Sequence, residues 1–395
     1  MLIMRFIGVP IFIILFSFSS NAQYCNTIIT GAEQTELYLP ILTNKKVALV
    51  VNPTSTIGAI HLVDSLIALH INIVKVFAPE HGYKGIADAG EHLSNDRDKK
   101  QNLEIISLYG SHKKPTKLDI ENIDIIVFDI QDVGARFYTY ISTLHYVMQA
   151  AAEYKKQLIV LDRPNPNGHY VDGPVLESKY TSFVGMHKVP IVHGMTIGEY
   201  AKMINGENWL SPSKQKLICN LIVIKCKNYT HHTFYKLPIK PSPNLPTMNS
   251  IYLYPSICFF EGTCISLGRG TEKPFQQFGS PDFKNYTYQF IPKSVEGAKN
   301  PPCVNQICFG QDLTILPIDS LQKNNKINLN YLIEAYHNYP AKENFFTPFF
   351  TSLAGNEKLK QQIESGLSSS EIKKTWQTDL KKFKSIRNKY LLYEQ

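Results

Sequence analysis

The sequence predicts an α/β protein: a Rossmann-like parallel sheet domain followed by a smaller α+β auxiliary domain. Three observations carry that expectation. Short β-branched runs alternate with amphipathic stretches through the first half, the rhythm of βαβ units. The runs are apolar nearly end to end, as strands buried on both faces of a parallel sheet must be. Beyond Leu237 this texture gives way to a stretch rich in Pro, Ser and Asn. The expected division is a leader over residues 1–22, a Rossmann-like domain over 23–236, and an auxiliary α+β domain over 237–395.

In chain order, the first strand is expected over Lys46 to Val51, a helix over Ile57 to Leu69, and a second strand over Ile73 to Phe77. Strands follow at Glu104 to Leu108, Ile123 to Phe128 and Leu158 to Leu161, with a long helix from Tyr140 to Lys155. A helix from Thr196 to Asn205, capped by Thr196 with Glu199 three residues on, and a strand from Leu217 to Ile224 extend the unit. In the run Lys240-Pro241-Ser242-Pro243-Asn244-Leu245-Pro246-Thr247 each proline removes a ladder donor and turns its predecessor away from helix. That stretch reads as a crossover. Short strands are then expected at Cys258 to Ile265 and Thr314 to Pro317. Ser368 to Glu371 forms a capping box opening a helix that carries Trp376, Leu380, Phe383 and Tyr390.

Arg5 is the only charge ahead of the apolar run Phe6 to Phe18, and Ser20-Asn21-Ala22 offers a small-residue cleavage site. This is the layout of a secretory signal peptide, so a periplasmic or secreted protein is expected, without stable membrane insertion after cleavage. Lys and Arg number 41 against 33 Asp and Glu, yet no basic run interleaved with aromatics suggests nucleic acid. Small acidic ligands suit the excess. The seven cysteines lack the close pairs of zinc ribbons, and no metal or cofactor is expected. Their odd number leaves at least one thiol unpaired within the monomer, and the sequence does not give the pairing of the others.

Phosphate-loop, zinc-protease and nucleophile-elbow signatures are missing. Gly268-Arg269-Gly270 begins like a dinucleotide fingerprint, but Lys273 occupies the third glycine position. Polar strings at three predicted strand ends remain: Ala78-Pro79-Glu80-His81-Gly82, Asp129 to Gly134, and Asp162-Arg163-Pro164-Asn165-Pro166. Open α/β sheets bind ligands at this carboxyl edge. Carboxylates there could equally cap helices or pair with Arg136 and Arg163. Glu80 follows an apolar strand and a proline, a place suited to a general acid, and His81 stands beside it as a second proton carrier.

Ala78 to Gly82, Ser107 to Gly110, Phe128 to Tyr140 and Leu161 to Pro166 closely resemble the peptidoglycan exo-β-N-acetylmuramidases of glycoside hydrolase family 171. The resemblance continues through His193 to Glu199, Pro241 to Asn244, Phe260 to Thr263, Gly268 to Thr271 and Arg387 to Tyr393. It implies release of N-acetylmuramic acid from the non-reducing end of peptidoglycan-derived saccharides or muropeptides. Glu80 and His81 are then the catalytic candidates, with Asp129 or Glu261 as second carboxylate. Asn52, Gln131, Arg136, Tyr138, Arg163, Asn165, His193, Asn244 and Arg269 join Asp129 and Glu261 as substrate-binding candidates. Arg136 and Arg269 are the expected partners of the lactyl carboxylate. Where members often carry a tryptophan before Pro-Ser-Pro-Asn, this chain has Leu237 to Lys240. A non-catalytic periplasmic binding protein for muropeptides or acidic sugars is the competing reading.

Overall fold

The computed structural model describes residues 27–80, 82–83, 96–98, 103–211 and 215–395. The expected leader and His81 lie outside the described residues.

The strands in chain order are β1 (Val47–Val51), β2 (Thr56–Ile57), β3 (Ile60–His61), β4 (Ile73–Ala78), β5 (Asp96–Asp98) and β6 (Leu103–Ser107). They continue with β7 (Ile125–Asp129), β8 (Gln157–Leu161), β9 (Asn220–Ile224), β10 (Gln277–Ser280), β11 (Tyr288–Phe290) and β12 (Cys308–Asp312). The main sheet runs β5-β6-β4-β1-β7-β8-β9. Six of its strands are parallel, and β5 pairs antiparallel to β6 at the edge. Leaving out β5, the order is that of a doubly wound nucleotide-binding sheet, which reverses direction between β1 and β7.

β1 and β7 are buried along their whole length, and alternate residues feed two separate cores. Ala48, Val50, Ile126 and Phe128 face one, beneath Ile141, Leu144 and Met148 of the helix Tyr140–Glu153. Val47, Leu49, Val51, Ile125 and Val127 face the other, with Tyr38 and Leu66. This two-sided burial is why the strands read as continuous apolar runs.

The smaller domain carries the antiparallel sheet β10-β12-β11 and short helices around it. Four expectations need correction. Cys258 to Ile265 is not a strand: a helix Met248–Ile257, capped by Thr247, runs into a 3-10 turn Cys258–Gly262. The turn packs so closely on the helix Phe350–Ala354 that a Cβ on Gly262 would meet the Phe350 Cα at 2.5 Å. Residues 314–317 form a turn held by the Asp312 carboxylate, which accepts from the Thr314 N–H at 2.9 Å. The stretch from Ile57 to Leu69 begins as the β2-β3 hairpin and becomes helical only at Leu62–Ala68. The Ser368 cap opens a helix as expected, but Trp376 separates it from a second helix, Gln377–Arg387.

Side chains from the smaller domain lock the two together. The Trp376 indole N–H donates to Asp172 Oδ1 at 3.0 Å, Arg387 Nε to the Gly194 carbonyl at 3.0 Å, and the Tyr393 hydroxyl to Asp162 Oδ2 at 2.5 Å.

Candidate active site

A cavity of about 420 Å³ opens where the carboxyl ends of β4 and β6 meet the smaller domain. Ala78 and Ser107 are partners in the β4-β6 register, so the residues two positions beyond each, Glu80 and Tyr109, emerge side by side. The Tyr109 hydroxyl donates to Glu80 Oε1 at 2.9 Å. Thr139, at the N-cap of the helix Tyr140–Glu153, donates its hydroxyl to Glu80 Oε2. Both carboxyl oxygens are thus held, in a side chain only 9% exposed.

Across the cavity stands Glu261, presented by the 3-10 turn Cys258–Gly262. Arg269 Nη1 donates to its Oε1 at 2.7 Å, and the Cys258 thiol lies 3.5 Å from Oε2. Arg269 also lines the cavity, as does Asn244, whose Nδ2 donates to the Gly297 carbonyl at 2.8 Å. Tyr138 completes this group, its hydroxyl donating to the Pro241 carbonyl at 2.8 Å.

Aromatic rings supply the rest of the wall. Tyr138 and Phe137 meet the Tyr254 ring edge-on at 5.7 and 5.3 Å, and Tyr254 meets Phe275 at 5.1 Å. Phe183 sits 6.1 Å from the Tyr109 ring. Burial raises the Tyr138 and Tyr254 hydroxyls well above the usual tyrosine range, so both remain neutral hydroxyls. Apolar ring faces with a few oriented polar groups suit a pyranose, which presents C–H faces and hydroxyl edges.

Glu80, Tyr138, Asn244, Glu261 and Arg269 therefore share one cavity. The remaining described candidates are placed elsewhere, and burial explains each. Asp129 and Arg163 pair with one another, Nε to Oδ1 at 2.5 Å and Nη2 to Oδ2 at 2.8 Å, both sealed from solvent. Asn52 Nδ2 donates to the Tyr140 hydroxyl at 2.9 Å, and its Oδ1 accepts from the Thr54 N–H at 3.0 Å. Gln131 Nε2 donates to the Pro164 carbonyl at 2.7 Å and Asn165 Nδ2 to the Met195 carbonyl at 2.8 Å.

Arg136, expected at a substrate carboxylate, is fully buried instead. It donates to the carbonyls of Pro174 and Val189 at 2.9 Å and of Leu353 at 2.8 Å. His193 is also fully buried; its Nδ1 accepts from the Met195 N–H at 3.2 Å, and its Nε2 lies 3.8 Å from Asp132 Oδ2.

Tyr109 and Thr139 stood inside strings already singled out, and their position at a strand end and a helix start marked them. Ser242 stood inside the Pro241 to Asn244 string as well, whereas Phe183, Tyr254, Asn300, Pro302 and Phe349, which also line the cavity, carried no such signal.

Residues 47–249 match the family model described as exo-beta-N-acetylmuramidase NamZ, N-terminal, and residues 252–393 the corresponding C-terminal model. The chain is 37% identical over 377 residues to the peptidoglycan beta-N-acetylmuramidase NamZ of Bacillus subtilis (strain 168), covering 90% of this chain and 89% of that protein. Two crystal structures of DUF1343 family proteins from Bacteroides fragilis NCTC 9343 share the fold. One has a TM-score of 0.86 at 51% identity and the other 0.78 at 29%, each covering 93% of this chain and 99% of its own.

Proposed function

The chain belongs to the exo-β-N-acetylmuramidase family, and from that premise we propose that it is a glycoside hydrolase releasing N-acetylmuramic acid from the non-reducing ends of peptidoglycan fragments during cell-wall turnover. The observation that carries this reading is the meeting of Glu80 and Glu261, from different domains, in one cavity walled by aromatic rings. Glycoside cleavage needs a carboxyl group to protonate the departing oxygen and a second group at the anomeric face. Glu80 takes the acid/base role, oriented by Tyr109 and Thr139. Glu261 is the second carboxylate. Arg269, beside it, supplies the cation for the lactyl group.

His81 follows Glu80 in the sequence and remains the second proton carrier of this proposal. The apolar run after Arg5 and the Ser20-Asn21-Ala22 step support export to the periplasm or beyond, with cleavage before Gln23. Intact mass of the exported chain tests that step, and a product keeping residues 1–22 contradicts it.

Incubation of the purified protein with a defined muramyl disaccharide, followed by identification of the released sugar, tests the activity. Free N-acetylmuramic acid from the non-reducing end is the expected product. Binding without release of any sugar would leave the non-catalytic binder as the correct description.

A further inference from the structure

The aromatic residues lining the cavity hold one another, with one exception. Phe137, Tyr138 and Phe275 all meet the Tyr254 ring, and Tyr109 meets Phe183. Phe183 is further engaged by the Lys113 ammonium, 4.7 Å from its centroid, and by the nearly parallel Tyr146 ring at 6.3 Å. Phe349 lines the same cavity, yet it is 42% exposed and meets no other ring among the described residues.

A single exposed phenylalanine is ordinary in itself; this one is fixed against the site. Its carbonyl accepts from the Ser352 and Leu353 N–H groups at 3.1 and 3.2 Å, which anchors it at the start of the helix Phe350–Ala354. The segment leading to it is tied by backbone to the turn that presents Glu261. The Thr347 N–H donates to the Gly262 carbonyl at 2.9 Å, and the Cys264 N–H to the Phe345 carbonyl at 3.0 Å. The neighbouring rings are taken up in packing, Phe346 against Phe345 at 4.8 Å and against Phe350 at 4.4 Å. Phe349 therefore keeps a set position relative to Glu261 with its ring still open to solvent.

We infer that Phe349 is the platform on which the leaving sugar stacks, the N-acetylhexosamine joined to the reducing side of the muramyl unit. This deepens the proposed activity and rests on it. An exo-acting site encloses the terminal sugar and lets the rest of the chain leave through its mouth. Glu80, almost buried, must reach the oxygen between the two sugars. A muramyl ring held between Glu80 and Glu261 then leaves the second ring among the exposed lining residues Phe349, Asn300 and Pro302, all from the smaller domain. The apolar C–H face of a pyranose fits the Phe349 ring, and the Asn300 amide offers both a donor and an acceptor to its polar edge.

The test compares two substrates on the full chain: the muramyl–N-acetylglucosamine disaccharide, and β-N-acetylmuramyl fluoride, which fills the terminal position and has a good leaving group but no second ring. The readout is the ratio of kcat/KM on the disaccharide to kcat/KM on the fluoride, which partial unfolding of a variant does not move. Phe349→Ala is expected to lower this ratio roughly 5–30-fold, the loss of about one to two kcal/mol of stacking, and Phe349→Trp to keep it within about threefold of wild type. An unchanged ratio in Phe349→Ala, with both substrates turned over, overturns the platform and leaves the activity standing. Failure of the wild type to release muramic acid from either substrate overturns the activity, and the platform with it.

Discussion

A buried guanidinium must find acceptors for its N–H groups, and Arg136 finds three backbone carbonyls, in Pro174, Val189 and Leu353. Arg269 keeps its guanidinium at the cavity wall beside Glu261. The same residue type thus has two fates, and substitution separates them. Arg136→Ala leaves those carbonyls without their donor and is expected to cost about 2–5 kcal/mol of stability, read by urea unfolding. Arg269→Ala is expected to leave unfolding within about 1 kcal/mol of wild type and to weaken use of muramyl substrates more than of matching glucosaminides, which lack the lactyl group. Equal loss on both substrates would assign Arg269 to holding Glu261 alone.

Glu80→Gln keeps the size of the side chain, with its Oε1 able to accept from one hydroxyl and its Nε2 to donate to the other, but removes the transferable proton. Turnover is expected to fall by roughly 10²–10⁴ with the fold intact. Near-wild-type turnover in a folded variant would move the role elsewhere, His81 first.

Asp132 offers a pH test. Burial raises its carboxyl to about 7, so the folded chain keeps a proton there that the unfolded chain releases from about pH 4. The raised value makes this contribution full below the unfolded pKa and progressively lost as pH rises to the folded one. Asp132→Asn abolishes the titration while keeping an oxygen for the Gly134 N–H, which Asp132 Oδ2 accepts at 2.7 Å. His193, lowered by burial to about 3, is present in both proteins. The stability of wild type relative to the variant is expected to decline between about pH 5 and 7 by at most about 1.4 kcal/mol per unit. Urea titrations across that interval check it, and a pH-independent difference would contradict it.

At the scale of elements, Thr196 closes a capping box with Glu199, accepting from the Glu199 N–H at 3.2 Å, and its hydroxyl also donates to the buried Asp162 Oδ2 at 2.7 Å. Thr196→Ala removes both and is expected to cost about 1–3 kcal/mol in thermal or chemical unfolding. A loss under about 0.5 kcal/mol would show that another group takes over the cap. This helix start was legible because capping is local: the residues that satisfy its first N–H groups are three apart in sequence. The parallel strands were legible for a related reason, since burial on both faces imposes an uninterrupted apolar run. The run Cys258 to Ile265 misled because a largely buried 3-10 turn, Cys258–Gly262, looks as apolar as a strand. The lining of the cavity was legible at Glu80, Glu261 and Arg269, whereas Asp129 and Arg163 lie away from it. Those two neutralise each other across 34 residues of chain, and nothing in linear order tells which strand-end charges are covered and which face a cavity.

Across the whole molecule, Arg136 reaches Leu353, Trp376 reaches Asp172, and Arg387 reaches Gly194. Each contact satisfies polar groups at a buried boundary. The two domains are therefore expected to unfold together, as a single calorimetric transition whose van't Hoff and calorimetric enthalpies agree. Two resolved transitions would show that these ties are weaker than either core. The Tyr393 hydroxyl on Asp162 carries this interdependence from space into time. Asp162 directly follows the β8 strand, and Glu199, which accepts from the Leu392 N–H at 2.8 Å, lies in the first turn of the helix Ile197–Gly206. The stretch that completes both is translated 231 residues after Asp162 and 193 after Glu199. A ribosome that has finished the Rossmann-like sheet holds an unsealed domain, and the nascent chain cannot settle into its final form until the segment around Tyr393 has emerged.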